Sequence, residues 1–219
     1  MRIDLHTHTL LSDGEVIPIE LARRAAMKGH EVLAVTDHAA LTNLEHNIRE
    51  AKKEVDLAAE FGVELLVGVE ITHVPAKRMD QVVKEARRAG AQVIVVHGET
   101  INEPVEKGTN LAAVSNPEVD ILGHPGFITL EEAELAARNG VALEITARRS
   151  HNPTNGHVAK IGLQAGARMV VDTDAHAPTD LIDEAMALML ARGAGLPEEE
   201  ARKACYDTPR EIVRRARAR

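Results

Sequence analysis

The sequence predicts an α/β fold: a barrel of parallel strands made from seven strand–helix units. Three observations carry this. Apolar, strand-like runs alternate with amphipathic, helix-like runs along all 219 residues, the pattern of parallel strands joined by helices. The units recur at nearly constant spacing. His8 and His38 are 30 positions apart, His38 and Glu70 are 32, Glu70, His97 and His124 are 27 each, and Glu144 and Asp174 are 30. A barrel of roughly 250 residues in eight units uses about 30 residues per unit, so seven fit and an eighth does not fit comfortably. Thirdly, each of the first five strands ends in an imidazole or a carboxylate. An open doubly wound sheet is the alternative, but its ligands gather at one switch point, whereas here polar residues end every strand.

Each element has a local justification. Residues 1–9 (MRIDLHTHT) read as a strand with Ile3 and Leu5 on one face and Asp4, His6 and His8 on the other, because strand side chains alternate. Residues 17–28 repeat apolar side chains at helical spacing and stop at Gly29,. Strands at 31–36, 64–72, 92–96, 119–122, 141–146 and 168–172 follow. Between them lie helices at 43–61, 77–89 and 129–138 and one ending at Gly166, the third opened by the capping-box pattern Thr129-x-x-Glu132,. Residues 99–109 and 147–156 read as polar loops. Helices at 179–191, 197–205 and 210–219 close the chain, the last with a basic end read as a solvated terminus,. No linker, low-complexity segment or second domain interrupts this, so 1–219 reads as one domain.

Composition sets further bounds. Hydrophobic residues are 44% and charged residues 27%, ordinary for a globular protein. The net charge of −8 argues against a general polyanion-binding surface, and the near absence of aromatics (two Phe, one Tyr, no Trp) leaves few stacking platforms,. Both argue for a small-molecule substrate and against a nucleic-acid polymer as partner. One cysteine, Cys205, excludes an internal disulfide and a cysteine-based zinc site,. No basic-then-apolar signal opens the chain and no apolar run is long enough to span a bilayer, so the expectation is a cytoplasmic protein with no membrane association. Oligomeric state is not legible.

The chemistry lies at the strand ends. His6, His8, Asp13, His38, Glu70, His97, His124, Asp174 and His176 all fall at C-terminal strand ends or in the loop just after. In a parallel barrel those ends share one face. Nine imidazoles and carboxylates crowded together would repel and lose solvation, unless divalent cations are held among them. Mixed His/carboxylate shells suit zinc, manganese, iron or nickel.

These residues carry a resemblance. Asp4-Leu5-His6-Thr7-His8 with Ser12-Asp13-Gly14, then Thr36-Asp37-His38, Gly68-Val69-Glu70, His97-Gly98, Gly123-His124-Pro125 and Asp174-Ala175-His176 resemble, in order, the motifs of the polymerase and histidinol phosphatase (PHP) family of phosphoesterases. The resemblance implies a distorted (β/α)7 barrel with two to three divalent metal ions (Zn, Mn or Fe) that hydrolyses phosphate esters. It further implies a first metal on His6, His8, Glu70 and Asp174, a second on Glu70, His97 and His124, and a third on Asp13, His38 and His176. A metal-bridging hydroxide held by Glu70, Asp174 and His97 would attack phosphorus. Some members have His where this chain has Asp13. The implied substrate is a small phosphomonoester, histidinol phosphate-like or a nucleotide. The alternatives are an amidohydrolase-type binuclear enzyme acting on a C–N bond, and a non-enzymatic metal-binding module.

Around that set, Asp4, Asp37, Glu144 and Asp172 are expected to orient the ligand imidazoles. Arg148, Arg149 and Lys77 are expected to meet substrate phosphate, since a guanidinium matches phosphate geometry. His73, His151 and His157 read as loop or surface histidines, and His30 and His46 as structural.

Overall fold

Parallel pairing runs unbroken through the sheet of the computed structural model, which describes residues 2–219. The elements, in order, are β1 (Arg2–Asp4), α1 (Pro18–Met27), β2 (His30–Val35), β3 (His38–Ala39), α2 (Leu44–Lys52), α3 (Val55–Glu60), β4 (Glu64–Ile71), α4 (Met79–Ala89), β5 (Val93–His97), α5 (Thr109–Val114), β6 (Ile121–Gly123), α6 (Leu130–Asn139), β7 (Ala142–Thr146), α7 (Asn155–Ala165), β8 (Met169–Asp172), α8 (Glu184–Gly193), α9 (Glu198–Arg202) and α10 (Thr208–Ala216). The sheet order is β1-β2-β4-β5-β6-β7-β8, with β3 on β4. β2 pairs with Glu64–Val67 and β3 with Glu70–Ile71 of the same neighbour, so β3 resumes β2 after a break at Thr36 and Asp37. The architecture is thus a nearly closed, seven-strand-wide α/β barrel of parallel strands.

Its seam is closed largely by side chains. Leu5 N donates to Asp172 Oδ1 (2.7 Å), and Thr173 N and Oγ1 donate to Asp4 (3.0 and 2.8 Å). One parallel bridge, Thr7 with Ala175, follows above them. Only Arg2–Asp4 of the expected first strand keeps ladder geometry, and Met1 lies outside the described residues.

Strand alternation sorts the apolar residues. Leu33, Val35, Leu65, Val67, Ile94, Val96, Leu143 and Ile145 pack outward against the helices. Val32, Ala34, Leu66, Val93, Val95, Ile121, Ala142 and Val170 face inward. From those positions, steps of two along the strands reach Glu70, His97, Glu144 and Asp172,. The interior is therefore apolar at its lower end and ionisable at its upper end. At Gly68, between Leu66 and Glu70, a Cβ would stand 2.5 Å from the Val93 carbonyl oxygen, so only glycine lets β4 and β5 approach this closely.

The lower end is plugged by α10, whose Ile212, Val213 and Ala216 join the inward cluster. The basic terminus is exposed at Arg214, Arg217 and Arg219, as expected, but several of its guanidiniums also find partners. Arg219 Nη1 lies 2.9 Å from Asp120 Oδ2, Arg215 reaches the same fully buried carboxylate at 3.6 Å, and Arg217 Nε lies 2.9 Å from Glu64 Oε1. These arginines tie the plug to the barrel floor.

Other elements differ in detail. The helix expected over 43–61 is two, α2 and α3, broken at Lys53 and Glu54. The closing helices join through a π-helical turn, Lys203–Asp207. α8 begins only at Glu184, where the Asp183 side chain caps Met186 N. The Thr129 capping box forms as the pattern predicts. Among the described residues no helix is long and apolar enough to cross a membrane.

Candidate metal centre

Every candidate ligand rises to the upper mouth. His6 and His8 follow β1, Asp13 sits in the next loop, His38 opens β3, Glu70 is near the end of β4 and His97 ends β5. His124 follows β6, while Asp174 and His176 follow β8. Their rings form a chain: His6 to His8 at 5.1 Å, His8 to His176 and His38 at 4.1 and 4.4 Å, His38 to His97 at 5.8 Å, and His97 to His124 at 4.5 Å between centroids.

Glu70, fully buried, is the hub. Its Oε1 lies 3.3 Å from both His6 Nε2 and His124 Nε2, and its Oε2 is 2.6 Å from His38 Nδ1. Asp174 Oδ1 is 3.1 Å from His8 Nε2. Asp13 Oδ2 is 3.1 Å from His176 Nε2 and 3.6 Å from His38 Nε2. His124 and Asp174 have φ of 26° and 50°. Left-handed backbone at non-glycine residues costs about 1–3 kcal/mol each and clusters at functional sites.

The electrostatics follow from burial against opposite charge. Burial alone would raise Glu70, yet the imidazoles of His6, His97 and His38 hold it well below the usual carboxylate range. Asp174 and Asp13 are likewise held low by their imidazoles against the effect of burial. The imidazoles respond: burial opposes their charge, but Glu144, Glu70 and Asp174 raise His6, and Glu70 and Asp13 raise His38 to about 10. His8 differs, burial lowering its pKa despite Asp174 and Glu70.

The donor set fits metal ions. Four groups have one nitrogen or oxygen per residue within 4.8 Å of one another: His8, Asp13, His38 and His176; His6, His8 and Glu70; His6, His124 and Asp174; and His97, His124 and His151. Glu70 Oε1, His8 Nδ1 and His124 Nδ1 are buried without a well-directed hydrogen bond, although such atoms are normally paired.

The four expected orienting carboxylates divide. Glu144 spans two ligands, with Oε1 2.6 Å from His6 Nδ1 and Oε2 accepting from His124 N at 2.8 Å. Asp4 and Asp172 instead close the seam. Asp37 accepts from Thr9 N and from the Thr9 and Ser12 hydroxyls, each at 2.7 Å. Those three shape backbone and loop rather than holding an imidazole.

The expected phosphate contacts lie around the site and not in it. Arg148 is half-buried and 3.5 Å from Asp180. Arg149 is exposed, beside a cleft of about 660 Å³ between α7 and α8. Lys77 is exposed on the short turn Ala76–Arg78 before α4.

Two residues at the centre escaped the sequence reading. His151 is buried, with its ring 4.3 Å from that of His124. Glu103 reaches in from the long loop, its Oε2 3.1 Å from His97 Nε2. The available signal was position: both stand in loops leaving strand C-terminal ends.

Fold and site together define a class, an α/β barrel whose C-terminal strand ends gather His and carboxylate side chains able to hold metal ions. Within it the chain belongs to the RNase P subunit p30 family, whose model matches residues 1–219. An uncharacterized protein of Methanocaldococcus jannaschii is 45% identical over 98% of this chain and 100% of its own length. A probable phosphatase of Caldanaerobacter subterraneus is 29% identical over 99% and 92%. Among solved structures, a chain of an archaeal ribonuclease P with mature tRNA superposes with TM-score 0.74 at 18% identity, covering 98% of this chain and 91% of that one. The family match overturns the expectation that a nucleic-acid polymer is an unlikely partner, because the family is that of an RNase P subunit. Net charge and aromatic count average over the whole molecule, whereas a subunit in an RNA-containing assembly needs only local contacts, including contacts to protein.

Proposed function

We propose that this chain is a metal-dependent phosphoesterase of the PHP type, whose mouth holds two to three divalent ions on His6, His8, Asp13, His38, Glu70, His97, His124, Asp174 and His176. The observation that carries it is the gathering of these nine side chains into overlapping donor groups at one mouth, with the buried Glu70 Oε1, His8 Nδ1 and His124 Nδ1 left unpaired. The probable phosphatase among the relatives favours phosphate esters over the C–N bonds of an amidohydrolase. Bound cations supply Lewis acidity toward phosphate oxygens and lower the pKa of water to near neutral. The chain's own part is positional. Glu144 fixes His6 and the His124 backbone, and Glu70 and Asp174 concentrate negative charge where cations bind. Arg148, Arg149 and Lys77 stand outside, placed to meet the rest of a phosphorylated substrate. That substrate is a phosphomonoester, histidinol phosphate-like or a nucleotide, or the phosphate end of an RNA.

A second reading has its own support in the family match: a subunit of an RNA-processing assembly. Elemental analysis of the purified protein with a phosphate-release screen over nucleotides, histidinol phosphate and end-phosphorylated RNA tests the first reading. Release abolished by H97A and D174A supports it. A metal-replete protein inert across the panel refutes it and leaves the subunit reading, which RNA-binding measurements then address.

A further inference from the structure

Resting on that reading, we propose that His151 is a protein ligand of the metal held by His97 and His124, and that Glu103 fills the coordination position on it that substrate must take. Neither residue belongs to the ligand set the resemblance implies. The argument is one of ring orientation. At a metal-binding histidine one ring nitrogen meets the ion and the other is tied to a protein acceptor. His6 Nδ1 is tied to Glu144, His97 Nδ1 to the Gly98 carbonyl and His176 Nδ1 to the Asp174 carbonyl, and in these three Nε2 turns toward the centre. His38 instead brings Nδ1 to Glu70 Oε2, and His8 and His124 leave Nδ1 without a hydrogen-bond partner.

His151 repeats the pattern of those three. Its Nδ1 is 2.7 Å from Thr100 Oγ1, and its Nε2 faces Glu103 Oε1 at 3.6 Å and Asp174 Oδ2 at 4.0 Å. Two histidines outside the site do the reverse: His30 and His157 spend Nε2 on the carbonyls of Ile182 and Ile128. His97, His124 and His151 are all buried and bring one nitrogen each within 4.8 Å of the others. With Glu70, whose Oε1 is 3.3 Å from His124 Nε2, they supply four donors, and a catalytic ion of this kind can expand to take a fifth,. Glu103 is the group aimed there, 39% exposed on its loop while its three partners are nearly fully buried. A carboxylate on the most exposed segment of the cluster is the donor an incoming phosphate oxygen displaces at least cost.

The test is Co2+ titration of the metal-stripped full chain, read by visible absorption and by metal content. H151A is expected to lose one ion per chain, or to bind it at least roughly tenfold more weakly, the lower end of what a second-layer partner alone costs. H157A is expected to match the unaltered protein. E103A is expected to keep the ion count, change the cobalt spectrum and bind inorganic phosphate more tightly. If H151A does not fold, H151Q carries the comparison. Titration and spectrum of H151A superimposable on the unaltered protein overturn the His151 assignment, and an unchanged spectrum in E103A overturns that of Glu103. An unaltered protein that takes up no ion overturns the metal-centre reading itself and this proposal with it.

Discussion

Glu144→Gln isolates the carboxylate that serves two ligands at once. Glu144 is fully buried and accepts from two donors, His6 Nδ1 at 2.6 Å and His124 N at 2.8 Å. Glutamine fills the same volume but has one oxygen and one NH2. With its oxygen on His124 N, the NH2 confronts His6 Nδ1, and imidazole must move its proton to Nε2, the nitrogen turned toward the metal. With its oxygen on His6, two N–H donors face each other. An unsatisfied buried donor costs about 1–3 kcal/mol. Loss of such an orienting partner weakens metal binding roughly 10–100-fold, which is about 1.4–2.7 kcal/mol at 1.4 per decade. Two measurements apply: metal affinity by competition titration, and urea unfolding of the metal-free chain. Both are expected to fall. A variant with unchanged affinity and unchanged midpoint would refute the claim that Glu144 sets the tautomer of His6 and the backbone of His124.

The remaining predictions concern the barrel away from the mouth. Asp120→Ala removes the buried carboxylate that Arg87 meets at 2.6 Å and Arg219 at 2.9 Å, leaving Arg87 the half-exposed Glu118 carboxylate at 3.5 Å and Arg219 the Gln92 carbonyl. A loss of about 3–5 kcal/mol is expected, as for breaking a buried ion pair, and a loss within 1 kcal/mol by denaturant titration would show the plug to be held by Ile212 and Val213 alone. Burial, with Arg2 adding to it, lowers the pKa of His30 below 6.5. The unfolded chain therefore takes up this proton first as pH falls, so the stability from neutral His30 is present above about pH 6.5 and lost below it. The unfolding free-energy difference between the unaltered protein and H30Q is expected to shrink from pH 7.5 to pH 5, and a flat difference would contradict the assigned shift.

Much of this molecule was legible in its sequence, for definite reasons. Alternation with period two marks which strand residues face inward, so Val93, Val95 and His97 declare one line up the barrel wall. Glycines at 29, 62, 90, 140 and 166 stand in left-handed turns where helices stop. What stayed hidden was set by distant partners or short segments. Helix α5 has six residues, too few for a period to show. Asp4 and Asp172 look like site residues by parity, yet across the seam their partners are the Thr173 backbone and hydroxyl and the Leu5 backbone. Arg219 reads as a solvated end until Asp120, 99 positions earlier, is brought beneath it. His151 shares the face of His124, but only a folded loop shows which ring nitrogen turns inward.

The seam has a consequence for how the protein is made. Its hydrogen bonds join Leu5 to Asp172 and Asp4 to Thr173, across 167 and 169 positions. During synthesis the nascent first strand has no closing partner until almost the entire chain has emerged, and loop closure of that span is slow. Asp174 and His176 arrive later still. The mouth thus stays incomplete until β8 and the loop after it are made, and a product interrupted before them, however well its early strands pair, lacks Asp174 and His176.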